Sequence, residues 1–161
     1  MVKNILWIFY FILMTLIFFS LCVCRDKKNK TIFWTVSHCL TDNLREKYVD
    51  QLRNYIEVDI FGECSGIECP RGMKDSCFAN QGIHYWFYLA FENSNCPDYI
   101  TEKLWRILDL PVVPIVMGGG NYRRDAPPHS VIDVNDFPHV KGLASYLNFL
   151  MKNPVRFRFP T

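Results

Sequence analysis

Residues 86–93, WFYLAFEN, decide the fold: six apolar side chains follow one another without interruption and end on an acid and an amide. A surface helix would break such a run with polar residues in every turn, and a half-exposed strand would alternate. An unbroken aromatic-rich run of this length reads as a strand buried on both faces, the character of a central strand in a parallel sheet. Immediately after it the sequence changes. Residues 91–106, FENSNCPDYITEKLWR, hold Glu92, Asn93, Asp98, Tyr99, Thr101, Glu102, Lys103 and Arg106. A core strand that runs straight into dense polar groups is how such a sheet presents a site, because ligands bind outside the carboxyl ends of parallel strands.

On either side the chain alternates between strand and helix. Thr31 to Ser37, TIFWTVS, is β-branched and aromatic and reads as a strand. From Asp42 a helix is expected, with Leu44, Tyr48, Leu52 and Tyr55 on its apolar face and Thr41 or Asp42 as its cap. IEVDIFG (56–62) gives a second strand, followed by a loop rich in Gly and Cys, GECSGIECPRGMKDSC (62–77). After the central strand a helix is expected from about Asp98 to Leu108, then a strand in VVPIVMGGG, a short strand in SVIDV, and a last helix in VKGLASYLNFLMKN. That last helix has Leu143, Tyr146, Leu147 and Leu150 on one face. The alternation implies an α/β fold, a doubly wound sheet with helices on both faces.

The chain has 161 residues, enough for one modest domain, and part of it has another use. Ile5 to Val23, ILWIFYFILMTLIFFSLCV, carries no charge. As a helix it would reach about 28 Å, close to the hydrocarbon thickness of a bilayer. A cleaved signal peptide would have a shorter apolar run and a small-residue cleavage site, so an uncleaved transmembrane anchor is the better reading. Arg25, Lys27 and Lys28 follow the span and only Lys3 precedes it, a bias that alone would place the C-terminal side in the cytoplasm. Cys22 and Cys24 sit at the end of the span, which leaves five cysteines for the folded part, Cys39, Cys64, Cys69, Cys77 and Cys96, none in CxxC spacing. A zinc site is a poor reading; a disulfide around the Cys-rich loop, in an oxidising compartment, is a better one. Five is odd, which leaves at least one thiol unpaired within the chain. The Asn29-Lys30-Thr31 sequon lies too near the span to count on. With a net charge of +2 and no basic stripe, nucleic acid is not an expected partner.

In the polar segment, Asn93 offers donors and an acceptor at a strand end, Tyr99 a ring and a hydroxyl, Glu102 a carboxylate, and Lys103 a compact positive charge. Together they suit a nucleotide sugar, the carboxylate on hydroxyls and the ammonium on a diphosphate. A helix beginning near Asp98 would add its N-terminal amides. The plainer alternative is a capped helix with an exposed charge pair and a buried tyrosine, just as Arg45 is plainly read as one charge on a solvated face. The glycines 118–120 are a weak phosphate signal, lacking both GxGxxG spacing and a P-loop lysine. His38, His84, His129 and His139 show no metal spacing.

WFYLAFENSNCPDYITEKLWR (86–106), PVVPIVMGGGNY (111–122) and APPHSVIDVNDF (126–137) closely resemble the donor-binding half of the α-1,3-fucosyltransferases, Golgi enzymes that use GDP-fucose. Upstream, VSHCLTDNLREKYVDQL (36–52) and VDIFGECSG (58–66) resemble it too, so the likeness runs from Ile32 to Pro154. It implies one half of a GT-B architecture, a Rossmann-like domain, and inverting transfer of L-fucose to an N-acetylglucosamine-containing glycan on a glycoprotein or glycolipid. It also implies the partition of the chain: 1–4 a cytoplasmic tail, 5–23 a signal-anchor, 24–31 a stem, 32–154 the GDP-fucose-binding domain and 155–161 a tail. Against the charge bias, the resemblance implies a single-pass type II protein of the Golgi membrane with its domain in the lumen.

Carried over by position, Arg45 and Lys103 are implied to neutralise the GDP diphosphate, Asn93 and Tyr99 to make further donor contacts, and Glu102 to sit on the ribose or near the fucose. Glu102 would thus assist only on the donor side. No DxD triplet occurs, so no metal is demanded, although the family leaves room for stimulation by Mn2+. Relatives carry an acceptor domain with the general base between anchor and donor domain, where this chain has Arg25 to Thr31. The expectation is therefore an incomplete fucosyltransferase, with a catalytically inactive donor-binding module or a non-functional membrane protein as alternatives.

Overall fold

The computed structural model describes residues 27–67 and 74–153. The expected anchor at 5–23, the tails at 1–4 and 155–161, and Cys69 lie outside the described residues. Five strands form one parallel sheet: β1 (Lys30–Thr35), β2 (Val58–Phe61), β3 (Tyr85–Phe91), β4 (Val113–Met117) and β5 (Ile132–Asp133), in the spatial order β2-β1-β3-β4-β5. The central position expected for 86–91 is met, with β3 paired to β1 through Phe87 opposite Ile32 and to β4 through Leu89 opposite Ile115.

Helices α1 (Arg45–Leu52), α2 (Lys74–His84), α3 (Glu102–Trp105), α4 (Tyr122–Asp125) and α5 (Val140–Lys152) connect or flank the strands. Period-two alternation divides the sheet between two cores. Phe87, Leu89 and Phe91 of β3 face a cluster with Val49 and Leu52 of α1 and Leu143, Leu147 and Leu150 of α5. Tyr88 and Ala90 face the opposite cluster with Phe78, Leu104, Ile107 and Tyr122. Both faces are therefore covered, as a parallel sheet requires. Each fully buried leucine of α5 contributes on the order of 1.5–3 kcal/mol, and Leu147→Ala would open a cavity beneath Phe87 and its neighbours.

Four expectations need correction. The α1 face is offset by one residue: Arg45, Val49 and Leu52 are buried, whereas Leu44 and Tyr55 are exposed. The offset arises because Leu44 takes a left-handed conformation (φ 55°) and the helix begins only after it. Neither Thr41 nor Asp42 caps the helix. The Thr41 hydroxyl instead lies 2.7 Å from Asn43 Oδ1 and 2.9 Å from Glu46 Oε2. The helix expected from Asp98 to Leu108 shrinks to Glu102–Trp105, because Asp98 also has positive φ (57°) and tight turns follow, with Ile107 N–H donating to Leu104 O and Leu110 N–H to Ile107 O. Finally, α2 occupies what reads as the end of a Cys-rich loop. Its KDSCFANQGIH has few apolar residues to mark a face.

Candidate functional site

The carboxyl ends of β1, β2 and β3 open into a cavity of about 480 Å³, within the range of small-ligand sites. It is lined by Thr35, Val36, Ser37 and His38 after β1, Gly62 and Glu63 after β2, and Asn93 after β3. Arg45 enters from α1 and Glu102, Lys103 and Arg106 from α3 and its following turn, over a floor that includes Tyr88 and Phe78. The order of the sheet reverses between β1 and β3, and parallel sheets open a crevice at such a switch point because the connections leave toward opposite faces.

Arg45 is not on a solvated face. It is 3 % exposed, its Nη1 donates to Phe91 O at 2.6 Å and its Nη2 to His38 O at 3.0 Å, and its guanidinium lies 5.5 Å from the Trp34 ring centroid. Two carbonyls from the ends of β3 and the β1 loop thus hold the fork, and Nε is left buried without a partner. Burial pulls this guanidinium below its usual range while Glu46 and Glu92 oppose the shift, and an arginine remains cationic under any such pull.

Lys103 meets a side chain that the residue-by-residue reading left without a role. Glu92, 1 % exposed, accepts from Lys103 Nζ at 2.8 Å and from the Thr101 backbone N–H at 2.7 Å. The Thr101 hydroxyl lies 2.9 Å from both carboxylate oxygens and 2.8 Å from Lys103 Nζ. Thr101 also caps α3, accepting from Lys103 N–H at 3.4 Å. One compact network therefore sets the start of α3, which carries Glu102 and Lys103 side by side on the cavity wall. The available signal for Glu92 was its place: an acid at the end of a buried run needs partners, because an unpaired carboxylate is strongly disfavoured there.

Of the five residues expected at the site, Arg45, Asn93, Glu102 and Lys103 line the cavity. Asn93 Oδ1 is buried without a partner. Tyr99 is not on the lining; it is 37 % exposed on the loop between β3 and α3. The glycines 118–120, a weak phosphate signal in the sequence, have a packing role, because the loop between β3 and α3 lies directly against them. A Cβ on Gly119 would lie 2.2 Å from Cys96 O, and one on Gly120 would lie 2.3 Å from Ile100 Cγ1. The short α3 likewise supplies no helix N-terminus near Asp98.

Cys64 pairs with Cys39 across 25 residues, not with another cysteine of its own loop. The bridge ties the loops after β1 and β2, both of which line the cavity. Cys96 is free and exposed on the motif loop. Among the described residues no group of three or more His, Cys, Asp or Glu is arranged to hold a metal ion, and no helix is long and apolar enough to cross a membrane.

Comparison with known proteins places this geometry. Residues 25–159 match the family model described as glycosyltransferase family 10 (fucosyltransferase), C-terminal part. Alpha-(1,3)-fucosyltransferase C of Drosophila melanogaster is 46 % identical over 127 residues, covering 79 % of this chain and 30 % of that protein. Human alpha-(1,3)-fucosyltransferase 4 is 42 % identical over 136 residues, covering 83 % and 25 %. The chain thus spans about a third or less of the length of these relatives. A crystal structure of an alpha1,3-fucosyltransferase superposes with a TM-score of 0.69 at 21 % identity, over 83 % of this chain and 37 % of that one, and a second such structure, with GDP-fucose, gives 0.66 at 22 %. At that identity the superposition speaks for the fold.

Proposed function

The chain belongs to glycosyltransferase family 10, the fucosyltransferases, and from that premise we propose that its cavity holds GDP-fucose for inverting transfer of L-fucose to an N-acetylglucosamine-containing glycan, in α-1,3 linkage. The observation that carries the proposal is the convergence of Arg45, Asn93, Glu102 and Lys103 on one cavity at the switch point of the sheet. In the transfer the bond between the sugar carbon and the β-phosphate oxygen breaks and the acceptor hydroxyl bonds to that carbon from the opposite face. The pair of electrons leaves with GDP. Negative charge grows on the diphosphate, where a fixed Arg45 and Lys103 lower the barrier because they need no reorganisation. Glu102 accepts from ribose or fucose hydroxyls, the unpartnered Asn93 Oδ1 takes a further donor N–H or O–H, and Tyr99, on the loop between β3 and α3, makes a further contact with the nucleotide sugar. The acceptor hydroxyl's proton goes to a general base that none of these residues supplies.

The same reading anchors residues 5–23 in the Golgi membrane as a type II span with the domain in the lumen. The Cys39–Cys64 bridge supports it, since disulfides persist in oxidising compartments. Titration calorimetry of the full chain with GDP and then GDP-fucose tests the site. Saturable binding is expected, weakened sharply but still measurable in Lys103→Ala and unchanged in Lys141→Ala, whose side chain lies at a separate hollow between α1 and α5. Equal effects of the two substitutions would discredit the assignment.

A further inference from the structure

We infer that Glu92 is a positioning residue that fixes where the Lys103 ammonium meets the ligand diphosphate. The inference rests on the donor reading above and adds to it a residue that touches no ligand. Three observations lead to it.

First, Glu92 is itself immobile. Its backbone N–H donates to Met117 O at 2.8 Å, which ties it to the end of β4, and its Cβ and Cγ pack so closely on Gly118 that an added Cβ there would lie 3.0–3.1 Å away. Second, hydrogen-bond capacity closes around the carboxylate. Thr101 has one hydroxyl proton, which goes to Glu92, and its lone pairs receive Lys103 Nζ and the Lys103 N–H. Glu92 accepts in addition from the Thr101 backbone and from Lys103 Nζ. Third, the count on the ammonium does not close. Three N–H donors meet two acceptors, Glu92 Oε2 and Thr101 Oγ1, and Lys103 is 26 % exposed at the cavity wall. A lysine stem is flexible and presents its charge in many places; two fixed acceptors reduce those to one and direct the third donor into the cavity. The arrangement gives up some attraction for an anion, because a carboxylate lies behind the ammonium, and gains geometry in exchange.

Glu92→Gln separates these effects. The amide oxygen can still accept from the Thr101 N–H, which turns the NH2 group toward Lys103 Nζ, donor against donor, and frees the ammonium from its place. GDP affinity of the full chain should fall about tenfold, the scale of losing one charge-assisted hydrogen bond. In a Lys103→Met background the same change should cost nothing further, since there is no ammonium left to place. A purely structural role would lower affinity by the same factor in both backgrounds, and that outcome would overturn the inference. So would Glu92→Gln that binds GDP as tightly as the unsubstituted chain. No GDP binding by the unsubstituted chain would overturn the donor reading and this inference together. If Glu92→Gln does not fold, Thr101→Val decides: it removes only the bridging hydroxyl, and undiminished GDP affinity would overturn the assignment where a several-fold loss supports it.

Discussion

Two lysines at opposite ends of β3 are held in opposite ways. At the amino end, Lys28 Nζ donates to three main-chain carbonyls, Gly82 O at 3.1 Å, Tyr85 O at 2.5 Å and Pro111 O. At the carboxyl end, Lys103 Nζ rests on two side chains, Glu92 and Thr101. Main-chain acceptors are set by the fold, so Lys28 commits its donors to joining the end of α2, the start of β3 and the approach to β4. Side-chain acceptors number only two, so Lys103 keeps a donor for something else. The difference extends beyond lysines. Beside Lys28, the Lys30 ammonium, the Asp59 carboxylate and the Tyr85 hydroxyl bond one another, and the third N–H of this exposed ammonium is left to water. Around Lys103, Arg45 Nε and Asn93 Oδ1 are buried and lack partners. The amino end has its lysines tied to groups of the fold, and the carboxyl end keeps these two buried polar atoms without partners.

Substitutions at the two ends should therefore separate stability from binding. Lys28→Met strands three carbonyls and should lower the unfolding free energy in urea by about 2 to 3 kcal/mol, with GDP affinity of the folded chain unchanged. A loss of affinity instead would break the distinction. Arg45→Lys keeps a charge but loses the fork that reaches both Phe91 O and His38 O, and should cost about 1–2 kcal/mol in unfolding together with about tenfold in GDP affinity. Asn93→Ala sharpens the comparison most directly, since it removes a buried acceptor that has no partner. Its unfolding free energy should stay within about 0.5 kcal/mol, whereas GDP affinity should fall about fivefold, the scale of one neutral hydrogen bond.

The smallest effect concerns Asp133 at the end of β5. Burial, the largest cause, raises its carboxyl above the ordinary range although the Asn135 N–H donates to it. An acid raised in the folded state holds its proton more tightly there than in the unfolded chain. Stability from this group is then present below the unfolded value and is lost as pH rises through the folded one. Asp133→Asn should thus gain a little, under about 0.5 kcal/mol, at neutral pH and nothing in acid, as paired unfolding curves at the two pH values would show.

The strands were legible because burial on two faces leaves a simple mark: β1, β3 and β4 are runs such as IFWT, WFYLAF and VPIVM. Helices were harder. α2 hides in polar sequence, and α3 reads as longer than it is because LWRIL continues in tight turns whose apolar residues Leu104 and Ile107 remain buried. At the site, charge was legible and its setting was not. Arg45 stands among Glu46 and Lys47 and looks like one more surface charge until the carbonyls at Phe91 and His38 come near it, 46 and 7 residues away. Glu92 went without a role for the same reason: its partners lie 9 and 11 residues along the chain, at a spacing that only the loop's path explains.

The glycines at 118–120 set a condition on change itself. A side chain at position 119 would overlap the carbonyls of Asn95 and Cys96, and one at 120 would overlap Ile100, so neither segment can alter its path while the other stays. Residues 92–103 and 118–120, separated in sequence, are a single mutational unit. A variant that lengthens or reshapes the polar loop can be accommodated only together with a second change beyond β4, and a gene that exchanged one segment by recombination would have to bring the other with it.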